Sequence, residues 1–113
     1  MPKIWTLRFR ASDRNDFDNI KNGIKSVETR AATERYRAIK KGDLLRIVCG
    51  NARIEKKVKR VRRFASIEAM LRAIPRITIM PETVSVAEMR KAYYGYPGYK
   101  EKIKKFGIIA MEV

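Results

Sequence analysis

The sequence contains no histidine, no glutamine and one cysteine among its 113 residues. Without histidine, zinc sites of the usual cysteine and histidine type are excluded, as is any mechanism that uses a histidine base. The single cysteine, Cys49, cannot form an internal disulfide. It lies in an apolar stretch with no histidine to activate it, so we expect a small buried residue and not a nucleophile. The composition therefore predicts neither a metal site nor a cofactor.

Long apolar runs are also missing. No run approaches the roughly 20 residues that a membrane-spanning helix needs. The N-terminal stretch MPKIWTLRFR carries charges too early for a secretory signal peptide. Hydrophobic residues make up 45% of the chain and charged residues 35%, which is typical of folded globular proteins. We therefore expect one domain over residues 1–113, in the cytoplasm and not in a membrane.

Negative charge is scarce. The chain has 12 acidic residues against 27 lysines and arginines, which gives a net charge of +15. An excess of this size favours anionic partners, with nucleic acid first among them. A charged composition poor in cysteine and glutamine is also typical of proteins from hot environments, but that explains the number of charges and not their sign. We therefore expect a functional basic surface.

Hydrophobic periodicity predicts a strand and then a helix at the start of the chain. Residues 3–9 alternate apolar and polar side chains, as in a half-buried strand. The next segment places Phe17, Ile20 and Ile24 on one helical face, and acidic residues crowd its first turn, where the helix dipole favours them. Gly23 suits the left-handed position that ends a helix.

The second half of the chain predicts three short helices, in SIEAMLRAI, SVAEMRKAYY and YKEKIKKF. Ser85 and Glu88 form a capping box at the start of the second, and Val86 and Phe106 are expected to face inward. The RITIM segment between the first two helices is ambiguous, and the terminal IIAMEV is a hydrophobic strand. Strands at both ends with helices between them predict an α+β domain whose first and last strands are neighbours.

A basic stretch follows the compact apolar strand at 44–49. Residues 53–64, RIEKKVKRVRRF, are predicted to form a second strand with a bulge, which places Lys57, Lys59 and Arg63 on one face. Such a face would contact phosphates, and these contacts provide affinity and salt dependence without sequence specificity. The alternative is an edge strand whose lysines prevent aggregation.

Two tyrosines near the C-terminal helix are candidates for contact with bases. Tyr94 and Tyr96 lie beside glycine and proline, which favours exposure at these two positions over helical core packing. Tyrosine rings stack on the unpaired bases of single-stranded nucleic acid. Packing within the core or a loop is the alternative for this group.

The segment GIKSVETR combines Gly23, Lys25, Glu28 and Arg30 in the pattern G-x-K-x-x-E-x-R. Together with WTLRF, IKKGDLLRI and YKEKIKKFGIIAMEV elsewhere, this pattern resembles the ASCH domain family, a branch of the PUA-like β-barrels. The resemblance covers most of the chain. It implies a small, strongly curved β-barrel decorated with short helices, with a cleft for RNA or a nucleotide-like ligand.

The resemblance implies a ligand-binding role for this segment. Lys25 and Arg30 would contact phosphate, together with the basic stretch, and Glu28 would accept hydrogen bonds from a base amino group. The structural alternative is an ion network that holds the end of the first helix to the barrel, in which Glu28 neutralises its cationic neighbours.

One branch of the ASCH family comprises small amidohydrolases that remove acyl groups from N4-acetylcytidine. Lys25 and Arg30 match its K-x-x-T-x-R pattern, and Glu82 matches a later glutamate ahead of a capped helix. The threonine nucleophile of that pattern is replaced by Glu28, and a carboxylate is a poor substitute for an activated hydroxyl. In an enzyme, Glu28 would act as a base for water, with Lys25, Glu28 and Glu82 as the catalytic residues.

The sequence thus supports two functions from different classes. The first is an RNA- or nucleotide-binding domain with a basic ligand cleft. The second is a small amidohydrolase that acts on an N4-acylated cytidine or a related modified nucleoside. Both site hypotheses require Lys25, Glu28, Arg30 and Glu82 to converge in one cleft, and their scattering over separate surfaces would contradict both.

Overall fold

The computed structural model describes residues 2–113, which fold into six strands and several short helices. The strands are β1 (Ile4–Phe9), β2 (Val27–Ala31), β3 (Leu44–Cys49), β4 (Ala52–Lys57), β5 (Arg60–Phe64) and β6 (Ile108–Glu112). The helices are α1 (Arg14–Lys21), α2 (Glu34–Arg37), α3 (Ile67–Ala73), α4 (Arg76–Ile79), α5 (Val86–Tyr94) and α6 (Tyr99–Phe106), and a short 3-10 helix (Ala11–Asp13) precedes α1.

The strands pair as two three-stranded sheets. The first has the order β1-β3-β4, with β1 parallel to β3 and β3 antiparallel to β4. The second has the order β2-β6-β5, and both of its pairs are antiparallel. The predicted α+β class is confirmed. The predicted barrel is not, because the sheets of residues 2–113 do not close into one ring.

The first and last strands are not neighbours, so this prediction is wrong. β1 pairs with β3, whereas β6 is the central strand of the other sheet. Side chains alternate across a strand, and both faces of β6 are buried. Ile108 and Ala110 pack in the core cluster under α3, α5 and α6, while Ile109 and Met111 pack in the cluster that holds β1, β3 and α1. This strand therefore joins the two cores.

The basic stretch forms two strands and not one bulged strand. β4 ends at Lys57 in the first sheet, and the chain crosses to the second sheet before β5 begins. Val58 is completely buried at the crossing, and the backbone N–H of Lys59 donates to β6 over 2.7 Å. The prediction that Lys57, Lys59 and Arg63 share one face of a continuous strand is therefore wrong, because the buried valine redirects the chain.

Three side chains that were predicted to face inward are exposed. Ile24 lies beyond the end of α1, Val86 is the first residue of α5, and Phe106 is the last residue of α6. At a helix end the helical spacing no longer directs a side chain onto the core. The Ser85 cap is confirmed, because its hydroxyl accepts the Glu88 backbone N–H over 3.1 Å.

Two further features complete the fold. The ambiguous RITIM segment contains helix α4, whose Thr78 carbonyl accepts the Ser26 backbone N–H over 3.1 Å. This bond attaches α4 to the chain just before β2.

Across residues 2–113, none of the helices combines the length and apolar character needed to cross a bilayer.

Candidate functional site

A cavity of about 230 Å³ lies where β1, β2, α1 and the connection between α5 and α6 meet. Its wall combines positive charge, negative charge and aromatic rings. The cationic lining residues are Arg8, Arg10, Lys25 and Arg30, the acidic ones are Asp13, Asp16 and Glu28, and the aromatic ones are Phe9, Tyr93, Tyr96 and Tyr99.

A buried ion network forms one side of the cavity. Glu28 lies in β2 between two cations: its Oε1 is 3.4 Å from Lys25 Nζ, and its Oε2 is 3.3 Å from Arg30 Nη2. The side chains of Lys25 and Glu28 are 3% and 5% exposed. Oε1 also accepts the backbone N–H of Thr29 over 2.9 Å. Both carboxylate oxygens are therefore held by groups of the protein itself.

Local backbone contacts explain why Lys25 points into the fold. The left-handed Gly23 ends α1 at a φ of 78°. The Lys25 backbone N–H then donates to the Asn19 carbonyl over 3.0 Å, and the next residue is bound to α4. The chain thus enters β2 from a fixed position, with the Lys25 and Glu28 side chains three residues apart on the buried side.

Arg30 connects the ion network to an aromatic surface. Its guanidinium carbon lies 5.3 Å from the centre of the Phe9 ring and 5.8 Å from that of Tyr36. Burial disfavours the charged guanidinium, but the Glu28 carboxylate and nearby tyrosines outweigh that effect and raise the pKa of Arg30. The side chain is therefore a permanent cation at the edge of the cavity.

A second buried polar contact lies beside the network. The Thr29 hydroxyl and the Tyr93 phenol are 2.5 Å apart and share a hydrogen bond. Burial raises the pKa of Tyr93, and the bond to Thr29 only partly opposes that rise. Tyr93 therefore stays protonated and fixes the threonine next to Glu28.

Asp16 is a cavity residue that the sequence analysis missed. Its Oδ1 atom is buried and has no hydrogen-bond donor among residues 2–113. Burial raises the pKa of Asp16 to about 6; the charge of Lys25 opposes that rise, and the Glu82 carboxyl adds to it.

One signal in the sequence indicates that Asp16 faces inward. It lies four residues before the buried Ile20, so both project from the same side of α1. The position of Asp16 in the first turn of α1 was explained only by a favourable interaction with the helix dipole. The direction of its side chain toward the cavity was therefore overlooked.

The remaining predicted site residues are divided between the cavity and other surfaces. Tyr96 lines the cavity. The guanidinium carbon of Arg10 lies 4.9 Å from the centre of its ring, and the centres of the Tyr96 and Tyr99 rings are 5.3 Å apart. Tyr94 is exposed and lies outside the cavity. Glu82 is exposed too and does not line the cavity, although its carboxyl contributes to the raised pKa of Asp16.

The lysines and arginine of the basic stretch lie elsewhere. Lys57, Lys59 and Arg63 are exposed residues at or between β4 and β5, and they do not line the cavity. The structure thus brings together Lys25, Glu28 and Arg30. Within residues 2–113, no group of three or more histidine, cysteine or acidic side chains is arranged to hold a metal ion.

Sequence comparison matches the ASCH domain over residues 14–113. The chain belongs to the ASCH domain family. This confirms the resemblance inferred from the GIKSVETR segment, and the matched range contains Lys25, Glu28, Arg30 and Glu82. Arg8 and Arg10, which line the cavity from β1 and the residue after it, precede the matched range. No curated protein matches the chain.

Two solved structures are similar to this ASCH domain. The crystal structure of hypothetical protein PH0355 has a TM-score of 0.82 and 29% identity, covering 96% of this chain and 95% of that chain. The solution NMR structure of protein PF0455 from Pyrococcus furiosus has a TM-score of 0.74 and 28% identity, covering 96% and 94%. The similarity extends over the strands and helices that surround the cavity.

The ion network predicts a large stability effect at Glu28. Glu28→Gln keeps the side-chain size but leaves two cations without a counter-ion. We expect a loss of about 3 kcal/mol in the free energy of unfolding, measured by urea denaturation. Glu55→Gln is the matched control, because Glu55 pairs with Arg46 on an exposed strand, where a pair contributes about 0–1 kcal/mol. Equal losses in the two variants would contradict the proposed importance of the network.

Asp16 predicts a pH dependence of stability. Its pKa is about 6 in the fold against an ordinary value of 3.8, so between these values the folded chain holds more protons than the unfolded chain. Rising pH therefore destabilises the fold through this group. The unfolding free energy of the wild type, relative to Asp16→Asn, should fall from about pH 4 to about pH 7 and then level off. A difference that is constant across this range would contradict the assignment.

Proposed function

We propose that this ASCH domain binds RNA or a nucleotide through the cavity, with one base against its aromatic wall. Membership of the family supports an RNA-binding type of domain. The observation that carries the proposal is that Lys25, Arg30 and three tyrosines line the same cavity of about 230 Å³. Typical small-molecule sites measure about 300–1,000 Å³, so this one suits a single small group.

The aromatic wall supplies a surface for stacking. The rings of Tyr96 and Tyr99 are tilted by 56° relative to each other, and both line the cavity. Every base has a π-face, and stacking on tyrosine contributes about 1–3 kcal/mol per base. Arg10, which lies over Tyr96, adds a cation at the same position.

The cations supply contacts for phosphate. Arg8 is exposed at the cavity, and Arg30 keeps its charge, so both suit a phosphate at the opening. We assign Glu28 the role of counter-ion for Lys25 and Arg30 in place of direct contact with a base, because its two oxygens already contact protein groups. Lys57, Lys59 and Arg63 would then contribute to general RNA attraction outside the cavity, whereas the exposed Tyr94 would not contact the RNA.

The fold proposal accompanies the functional one. We infer that residues 1–113 act as one PUA-like unit, in which the two sheets correspond to the two sides of an incompletely closed barrel. The support is that β6 contributes side chains to both core clusters. The cavity lies within this unit, where β1, β2, α1 and the connection between α5 and α6 meet.

Binding of a fluorescent single-stranded RNA, measured by anisotropy, tests the RNA proposal. We expect Tyr96→Ala to weaken binding about tenfold, because a stacking ring is lost. Tyr94→Ala is the matched control, two residues away and outside the cavity, and should change binding less than twofold. Affinity should fall between about 50 and 200 mM salt. The proposal fails if the wild type binds no better than an unrelated protein of similar charge, or if both variants weaken binding equally.

An amidohydrolase that acts on an N4-acylated cytidine or a related modified nucleoside is the second candidate. Burial and the Glu82 carboxyl together raise the pKa of Asp16, and this pair favours the hydrolase, because a carboxyl with a pKa of about 6 is suited to proton transfer near neutral pH. Water would attack the acyl carbon as its proton passes to this pair, and Lys25 would stabilise the oxyanion. The C–N bond then breaks, and the pair returns the proton to the leaving amine. Glu28 would hold Lys25 in position.

Acetate release from N4-acetylcytidine tests this second candidate. We expect Lys25→Met to lower the rate about 100-fold or more, because it removes the oxyanion donor. Lys21→Met, on the exposed end of α1, should leave the rate unchanged. An absence of product with the wild type, or equal rates in the two variants, would eliminate the hydrolase.

A further inference from the structure

We propose that Arg30, Tyr36 and Arg35 form a second stacking site next to the cavity. Its ligand is a single RNA strand of at least two nucleotides, in which one base occupies the cavity and its neighbour stacks on Tyr36. The inference rests on the proposed RNA-binding function. It goes further because it distinguishes a strand from a mononucleotide and assigns a role to α2, which carries none of the predicted site residues.

The geometry is an alternation of cations and rings that leads away from the cavity. Arg30 lines the cavity, and its guanidinium carbon lies 5.3 Å from the Phe9 ring centre and 5.8 Å from that of Tyr36. The guanidinium carbon of Arg35 lies 5.3 Å from the centre of the same Tyr36 ring. Tyr36 is outside the cavity lining. Arg30 is therefore shared between the cavity and the ring beyond it.

The second site is held in place by the fold. Arg35 Nη2 donates to the Thr6 carbonyl of β1 over 3.3 Å. The Tyr36 ring packs against the core cluster that contains β1 and β3, yet the residue remains partly exposed. A partly exposed ring that the core holds in place beside two cations suits the stacking of a base.

The charges around Tyr36 favour a phosphate backbone. Arg35 is exposed, and no acidic side chain pairs with it among residues 2–113. Arg37, Lys40 and Lys41 follow on the same segment and are exposed as well. A cation beside a ring suits a nucleotide because the phosphate and the base are bound together. A mononucleotide in the cavity would not contact these cations beside Tyr36.

The test compares a short ligand with a long one. We would measure the binding of uridine 5′-monophosphate and of an octauridylate to the full chain by calorimetry. Arg35→Gln should weaken octauridylate binding about tenfold, while binding of the mononucleotide stays within about twofold. Arg37→Gln is the matched control on the same helix, and we expect it to weaken octauridylate binding only about two- to threefold through its charge.

A second variant separates stacking from charge. Tyr36→Leu keeps an apolar side chain against the core but removes the ring, so it should weaken octauridylate binding about as much as Arg35→Gln. Circular dichroism would confirm that each variant is folded. Should Tyr36→Leu be unfolded, the comparison of Arg35→Gln with Arg37→Gln decides the question.

The outcomes distinguish this inference from the function on which it rests. If octauridylate binds tightly and depends on Tyr96, but Arg35→Gln and Arg37→Gln lose equal affinity, the second site is wrong and RNA binding stands. The same holds if Arg35→Gln weakens the mononucleotide as much as the octamer. If the wild type binds octauridylate no better than an unrelated basic protein, both proposals are wrong.

Discussion

The buried carboxylate of Glu28 is the constraint on which the site depends. Two cations, Lys25 and Arg30, converge on it inside the fold, and a buried charge that loses its partner is costly. The network therefore fixes the entrance to β2. Because β2 pairs with β6, and β6 joins the two cores, Arg30 lies on a strand that both cores hold in place, and Lys25 lies just before that strand. Rigid placement of charge is what selective binding of an anionic ligand needs.

The network also determines the electrostatic character of the cavity. One carboxylate is shared by two cations, so a positive charge remains, and Arg8 adds to it. Asp16 lowers that charge only when it is ionised, because burial raises its pKa to about 6. In the proposed function, the net charge of +15 would attract polyanions from a distance, whereas the cavity would provide a defined position for one of their units.

The sequence was informative where function depends on short-range spacing. The Lys25, Glu28 and Arg30 pattern identified both the family and the ion network, and the neighbours of Tyr96 marked it as a candidate. It was less informative where distant segments meet. Nothing in 53–64 indicates that Val58 is buried between two sheets, and periodicity does not show whether sheets close into a barrel. Asp16 was missed because its place in the first turn of α1 was explained by the helix dipole alone, and Arg8 and Arg10 because they enter the cavity from β1 and the residue after it.

The central claim is that the ion network and the tyrosines form one ligand site, and chemical-shift mapping tests it most directly. A labelled sample of the full chain would be titrated with octauridylate, with amide signals followed by two-dimensional NMR. We predict that the largest shifts occur at Thr29, Arg30, Tyr96 and Tyr99, around the cavity. Large shifts confined to the basic stretch at 53–64, with the cavity amides unchanged, would contradict the claim.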